Sequence, residues 1–177
     1  MSRSENSADE VILVDADDRP LGTMGKLEAH RQGLRHRAIS VIVRDRDNRL
    51  LLQQRAAGKY HSGGLWTNTC CSHPRPGEAT HDAALRRLAE EMGFSCPLTH
   101  LFTAHYRASV SDELIEDEVV HVFGGRFDGT PDPDPHEVAA WRWISPDELA
   151  GDIDHQPQNY TVWFREYRRR FWPAMVG

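Results

Sequence analysis

The segment between Gly77 and Phe94 admits few folds. Ala84, Leu88 and Met92 recur at i, i+4 and i+8, which puts an apolar stripe on one face of a helix. Thr80 is placed to cap that helix and Gly93 to end it. Glu90 follows Arg86 by four residues, and Glu91 follows Arg87 by four, so each pair meets on the helix surface. On charge pattern alone this is also what a solvated helix with two exposed ion pairs looks like. A helix with one apolar stripe needs a surface to cover, and the rest of the chain supplies strands.

Strand-length apolar runs occur at residues 11–14, 38–43, 50–54, 66–71, 101–110, 115–127 and 138–144. Asp47-Asn48 separates two of them and predicts a hairpin. Short helices are expected at 26–32, ended by Gly33, and from Pro146. A longer helix is expected over 160–171. Stretches 56–64, 72–78 and 128–136 carry the glycines and prolines of loops. There is no internal repeat and no linker. A chain of 177 residues with this alternation predicts one α/β domain over 10–177, preceded by a loose tail at 1–9.

Composition removes several classes of function. The formal net charge of −6 argues against nucleic acid as a partner, while leaving room for an anionic small substrate where basic groups cluster. Three cysteines, two of them adjacent, make a poor disulfide framework and point to a reducing compartment. Residues 1–10 are polar and acidic, unlike a signal peptide, and no apolar run is long enough to span a bilayer. A soluble cytoplasmic protein without membrane insertion is expected.

A second constellation consists of His30, His36, His73, Glu116 and Glu118. The two glutamates are two apart in a strand, so their side chains share a face. Three imidazoles and two carboxylates suit a Zn²⁺, Mn²⁺ or Mg²⁺ ion. The bland alternative is an acidic strand edge at 116–118, which discourages edge pairing. The chain has ten histidines, and His61, His81, His100, His105, His121, His136 and His155 require no special role.

Two motifs carry a resemblance. Glu78, Arg86, Leu88, Glu90, Glu91, Gly93 and Phe94 stand in the order of the Nudix motif, with Ser72 at its first glycine and Arg87 at the first glutamate of its Arg-Glu pair. Arginine cannot ligate a metal, but its planar fork grips phosphate oxygens. That exchange turns a helix built to attack a diphosphate into one that holds it. The run Trp66-Thr67-Asn68-Thr69-Cys70-Cys71-Ser72-His73-Pro74 closely resembles the active-site segment of type 1 isopentenyl-diphosphate isomerases, which have the Nudix fold. Further marks follow in order, including Gly22-Thr23, His36-Arg37-Ala38, Tyr106-Arg107-Ala108, Glu116-Asp117-Glu118-Val119 and Trp141-Arg142-Trp143, so the likeness extends from Val11 to Trp172.

The resemblance implies an α/β/α sandwich around mixed β-sheets. It implies a divalent metal, Mn²⁺, Zn²⁺ or Mg²⁺, on His30, His36, His73, Glu116 and Glu118, and a Mg²⁺ that Glu91 holds with the substrate's diphosphate. No organic cofactor is implied. Cys71 and Glu118 match the catalytic pair, Tyr106 a residue supporting the glutamate, and Trp163 an aromatic facing a carbocation. Lys26, Arg55, Lys59, Ser72 and Arg87 match diphosphate-binding positions. Cys70 and Cys96 are left as structural thiols. The partner expected is a small diphosphate, and the state a monomer or weak homodimer. The implied reaction protonates an unactivated double bond and removes a second proton, so it needs an acid and a base on opposite sides of the allylic unit. Glu118 would deliver one proton and Cys71 take or return the other, with roles exchanged in reverse.

Overall fold

The computed structural model describes residues 9–177. Most of the tail expected at 1–9 therefore lies outside the described residues, although the Asp9 carbonyl accepts a hydrogen bond from the backbone N–H of Lys26 (2.8 Å).

The chain runs β1 (Glu10–Val14), β2 (Pro20–Gly25), α1 (Lys26–Gln32), β3 (Arg35–Arg44), β4 (Leu50–Arg55), β5 (Trp66–Thr67), β6 (Cys70–Ser72), α2 (Thr80–Met92), β7 (Leu98–Ser109), β8 (Ile115–Arg126), β9 (Val138–Ile144), α3 (Pro146–His155) and α4 (Val162–Val176). The strands join in one mixed, nine-stranded network. β3 lies at its centre. It pairs in parallel with β8 along its whole length and antiparallel with β6 on its other side. β8 in turn pairs antiparallel with β7.

The central position of β3 follows from its sequence, which is apolar on both faces as buried parallel strands are. Ala38 and Ile42 face one core, closed by α3 and α4 through Leu149, Ile153, Phe164 and Tyr167. Ile39, Val41 and Val43 face the other, closed by α2 through Ala84, Leu88 and Met92. These three helix residues are fully buried, as their spacing predicted. Burying Leu88 or Met92 contributes about 1.5–3 kcal/mol each. The result is the expected α/β/α layering.

Three local expectations need correction. Ala79, not Thr80, is the N-cap of α2, and no side chain caps it. The Glu78 carboxylate instead accepts the Arg75 N–H (2.8 Å) and the Arg86 guanidinium (2.7 Å to each oxygen), which anchors the loop to the helix. The run 66–71 is two short strands with Asn68 and Thr69 between them. The hairpin of β3 and β4 closes at Arg44–Leu50 alone and then splays.

Thr69 fills that splay. Its hydroxyl accepts from the Val43 N–H (2.9 Å) and donates to the Leu51 carbonyl (2.8 Å), so a side chain replaces the missing ladder. Asn68 likewise donates to the carbonyls of Val41 (2.9 Å) and Cys70 (3.0 Å). This wedge seats β6 against β3 and opens a cleft beside it. Gly93 ends α2 at φ 73°, and a Cβ there would meet the Asp132 carbonyl oxygen at 2.0 Å, so no larger residue fits.

Candidate active site

β3 is flanked on one side by β6, which carries Cys71, and on the other by β8, which carries Glu116 and Glu118. All three line a common cavity with Tyr106 from β7 and Trp163 from α4. Lys26, Arg55, Lys59, Ser72, Arg87 and Glu91 line the same cavity. His73 joins them, and His30 and His36 lie fully buried behind it. The fold thus brings every expected site residue to one place.

β8 is an interior strand, so the acidic run 116–118 is not an edge. Alternation sends Glu116 and Glu118 to the cavity. Asp117 points to the other face, where Arg35 and His105 each hold it at 2.9 Å.

The three histidines present their Nε2 atoms to one carboxylate. Glu118 Oε1 lies 3.9 Å from that of His30, 3.2 Å from that of His36 and 3.0 Å from that of His73. The Nδ1 atoms of His30 and His36 face the carbonyls of Lys26 (2.7 Å) and Leu34 (2.8 Å), which can only accept. Both rings therefore carry their proton on Nδ1 when neutral, and their Nε2 lone pairs point inward. Those two Nε2 atoms are buried and have no hydrogen-bond partner among the described residues. Lone pairs aimed at a carboxylate repel unless a cation stands between them. The donor atoms of His30, His36, His73 and Glu118 all lie within 4.8 Å of one another, compact enough to share one ion.

The charge states follow the same logic. Burial pushes His30 down to about 3, with neighbouring His73 acting in the same direction. Burial also carries His73 down to about 4, against the pull of Glu118. Burial works against protonation of His36 too, but there the attraction of the neighbouring Glu118 carboxylate wins and its pKa rises. Despite burial, His36 and His73 hold the Glu118 carboxyl well below its usual range. Burial, aided by the Glu118 charge, raises Glu116.

Across β3, the Cys71 sulfur lies 2.9 Å from the Ser40 hydroxyl and donates to Asn68 Oδ1 at 3.1 Å. Burial pushes the thiol up to about 12, with the Ser40 hydroxyl acting in the opposite direction. Cys70 is fully buried and Cys96 nearly so, as structural thiols are. On α2, Arg87 reaches Glu91 Oε1 at 2.6 Å, and Gln53 donates to the other oxygen at 3.0 Å. Glu91 is buried at the cavity wall and Arg87 partly so, whereas the Arg86–Glu90 contact is exposed as the charge pattern suggested.

Sequence reasoning missed several neighbours. Glu137 lies 2.5 Å from Lys59 and 3.6 Å from Arg87. Ser40 and Asn68 hold the Cys71 sulfur. His61, set aside with the unassigned histidines, is buried in the site 3.1 Å from Glu116. Asn68 stood inside the recognised segment. The other three gave no signal, because only the fold brings them near.

Comparison with known proteins fits this geometry. A NUDIX domain model matches residues 34–164. The isopentenyl-diphosphate Delta-isomerase of Burkholderia multivorans is 58% identical over 154 residues, covering 87% of this chain and 88% of that protein. This chain belongs to the isopentenyl-diphosphate Delta-isomerase family. The family member from Serratia proteamaculans is 51% identical, over 87% of this chain and 86% of that one. A crystal structure from Deinococcus radiodurans superimposes with a TM-score of 0.75 at 17% identity, over 92% of this chain and 98% of that one, and supports the fold alone. No helix among the described residues is long and apolar enough to cross a membrane.

Proposed function

We propose that this chain interconverts isopentenyl and dimethylallyl diphosphate, with Cys71 and Glu118 exchanging protons with the two ends of the allylic unit. One observation carries the reading. Cys71 and Glu118 approach a shared cavity from opposite sides of β3, as an antarafacial acid and base on the two faces of a C5 chain require. The likeness to named isomerases over most of the chain supports the substrate.

The diphosphate is held at the basic end of the cavity by Lys26, Arg55, Lys59, Ser72 and Arg87. Anchoring there fixes the hydrocarbon end between acid and base. Without substrate, Lys59 and Arg87 are occupied by Glu137 and Glu91. As Arg87 turns to the phosphate it releases Glu91 Oε1, which becomes free to act as a ligand. In this reading a divalent cation, Mn²⁺, Zn²⁺ or Mg²⁺, on His30, His36, His73, Glu116 and Glu118 supplies positive charge beside the catalytic carboxylate, and Mg²⁺ at Glu91 offsets the diphosphate charge.

The pair carries one transferable proton. Burial keeps it on Cys71, while His36 and His73 keep Glu118 ionised. In that state the thiol protonates the terminal methylene, the positive charge develops on the tertiary carbon, and Glu118 removes a proton from the carbon next to the CH₂O group. The pair ends in the opposite state, which serves the reverse direction with Glu118 as the donor. Trp163 and Tyr106 wall the cation with ring faces, a contribution of roughly 2 kcal/mol when desolvated. The enclosed wall keeps water from the cation.

The test is NMR of purified protein with isopentenyl diphosphate and Mg²⁺ in deuterated water. Deuterium-labelled dimethylallyl diphosphate is expected from the parent, with Cys71→Ala and Glu118→Gln each slower by about 10²-fold or more. Recovery of unchanged substrate from the parent would sink the isomerase reading.

A further inference from the structure

We propose that His61 is a positioning residue for the metal centre, fixing the carboxylate of Glu116 from the side opposite Tyr106. The inference rests on the reading above that Glu116 is a metal ligand.

His61 lies in the loop between β4 and β5, and its side chain is 3% exposed. Its Nε2 is 3.1 Å from Glu116 Oε1, within reach of a hydrogen bond. Glu116 Oε2 accepts from the Tyr106 hydroxyl at 2.7 Å. The two oxygens are thus held by groups on different elements, and the carboxylate cannot rotate without breaking one contact. The imidazole is itself held from several sides. Its ring meets Trp163 edge-on at 6.0 Å and Tyr60 at 4.3 Å, and its Nδ1 lies 3.1 Å from the Ser62 hydroxyl. The His61 carbonyl accepts from Arg55 Nη2 at 3.2 Å, which pins the backbone.

Geometry separates this role from direct ligation. The donor atoms of His30, His61 and Glu116 lie within 4.8 Å of one another, and neither His61 nor Glu116 belongs to the compact group of His30, His36, His73 and Glu118. Ligands about 2.0–2.2 Å from one ion lie at most about 4.4 Å apart. An ion on the three other histidines and Glu118 therefore leaves His61 outside, and Glu116, read above as a further ligand, is the side chain through which His61 would act. Groups that orient a metal ligand in this way typically contribute 10- to 100-fold to metal affinity. The same loop carries Lys59, so His61 also ties the diphosphate-binding wall to the metal centre.

The test is a Mn²⁺ titration of the chelator-treated full-length chain without diphosphate, reading free Mn²⁺ by electron paramagnetic resonance. His61→Phe keeps the ring packing and removes the donor. His61→Gln keeps an N–H and loses the ring. The expected result is about 10- to 100-fold weaker Mn²⁺ binding in His61→Phe and a value within about threefold of the parent in His61→Gln. Metal-free melting curves check that each variant is folded, and His61→Met replaces His61→Phe if the latter is not. Parent-like binding in both His61 variants, or equal losses in both, would overturn the proposal while Glu116→Gln still binds weakly. Parent-like binding by Glu116→Gln would instead remove the reading of Glu116 as a ligand on which the proposal rests.

Discussion

The hydroxyl of Tyr106 lies 2.8 Å from Oε2 of Glu118, the carboxylate whose other oxygen faces three imidazoles. The same hydroxyl lies 2.7 Å from Glu116 Oε2, yet it has a single proton to donate. That proton therefore fixes one of the two carboxylates at a time, and given to Glu118 it sets the orientation of the carboxylate proposed to exchange protons with the substrate. Tyr106→Phe is expected to lower turnover by about 10²-fold with little change in KM. Steady-state kinetics with isopentenyl diphosphate checks this. A KM effect without a turnover effect would place Tyr106 in binding instead.

Arg87 is expected to act on the diphosphate end. Arg87→Met should raise KM by about tenfold or more, equivalent to about 1.4 kcal/mol or more, because one charge-assisted phosphate contact is lost. Turnover should fall less. Binding of inorganic pyrophosphate by calorimetry should weaken in parallel, and unchanged affinity would remove Arg87 from the binding wall.

Metal removal should cost both activity and stability. A cation held only by the folded state stabilises it by about 2.7 kcal/mol at a hundredfold excess over Kd. Adding Mn²⁺ to the chelator-treated protein should therefore raise its melting temperature, and His36→Ala should abolish that rise. Metal competes with protons for the imidazoles, so the rise should shrink as pH falls. A rise retained in His36→Ala would place the ion elsewhere.

The Glu78–Arg86 pair sets a pH signature in stability. The bidentate Arg86 guanidinium is the main cause that holds the Glu78 carboxyl below the usual carboxylate range. A depressed carboxylate contributes stability above its unfolded pKa and loses it as pH falls through the folded one. Glu78→Gln should cost about 1 kcal/mol at pH 7, a gap that closes as pH falls through the lowered Glu78 pKa. Urea unfolding of both proteins across pH 3–7 measures it, and a gap independent of pH would assign the loss to packing.

Cys71 should resist alkylation. With its thiol pushed up to about 12, only about one molecule in 10⁴ carries a thiolate at pH 8. Iodoacetamide labelling of the metal-free protein, mapped by mass spectrometry, should be slow at Cys71 and should rise about tenfold per pH unit. Fast labelling at neutral pH would show that the proton does not rest on Cys71.

Much of this protein was legible along its chain. The i, i+4, i+8 stripe of α2 gave the buried face of that helix, because helical periodicity acts over a few residues. The apolar run 38–43, interrupted only by Ser40, marked a strand. The spacing of Glu116 and Glu118 put both on one face, since side chains alternate along any strand. The recognised segment around Cys71 and the ordered marks on either side pointed to the proposed catalytic pair and to the histidines that the fold gathers around Glu118.

Other features depended on where distant segments meet. The splay of β3 from β4 exists because Asn68 and Thr69 wedge between them, and no local propensity of those residues announces it. Arg87 and Glu91 form a partly buried pair where their spacing predicted only a helical one, because β4 brings Gln53 over that turn. Glu137 acquires Arg87 and Lys59 as partners from 50 and 78 positions away in the chain. His61 read as one histidine among ten until the loop after β4 folded over Glu116. Local sequence determines periodicity, turns and burial, which depend on neighbours a few residues away. The pairing of ionisable groups across the sheet is decided by tertiary contacts, because electrostatic partnership depends on distance in space rather than along the chain.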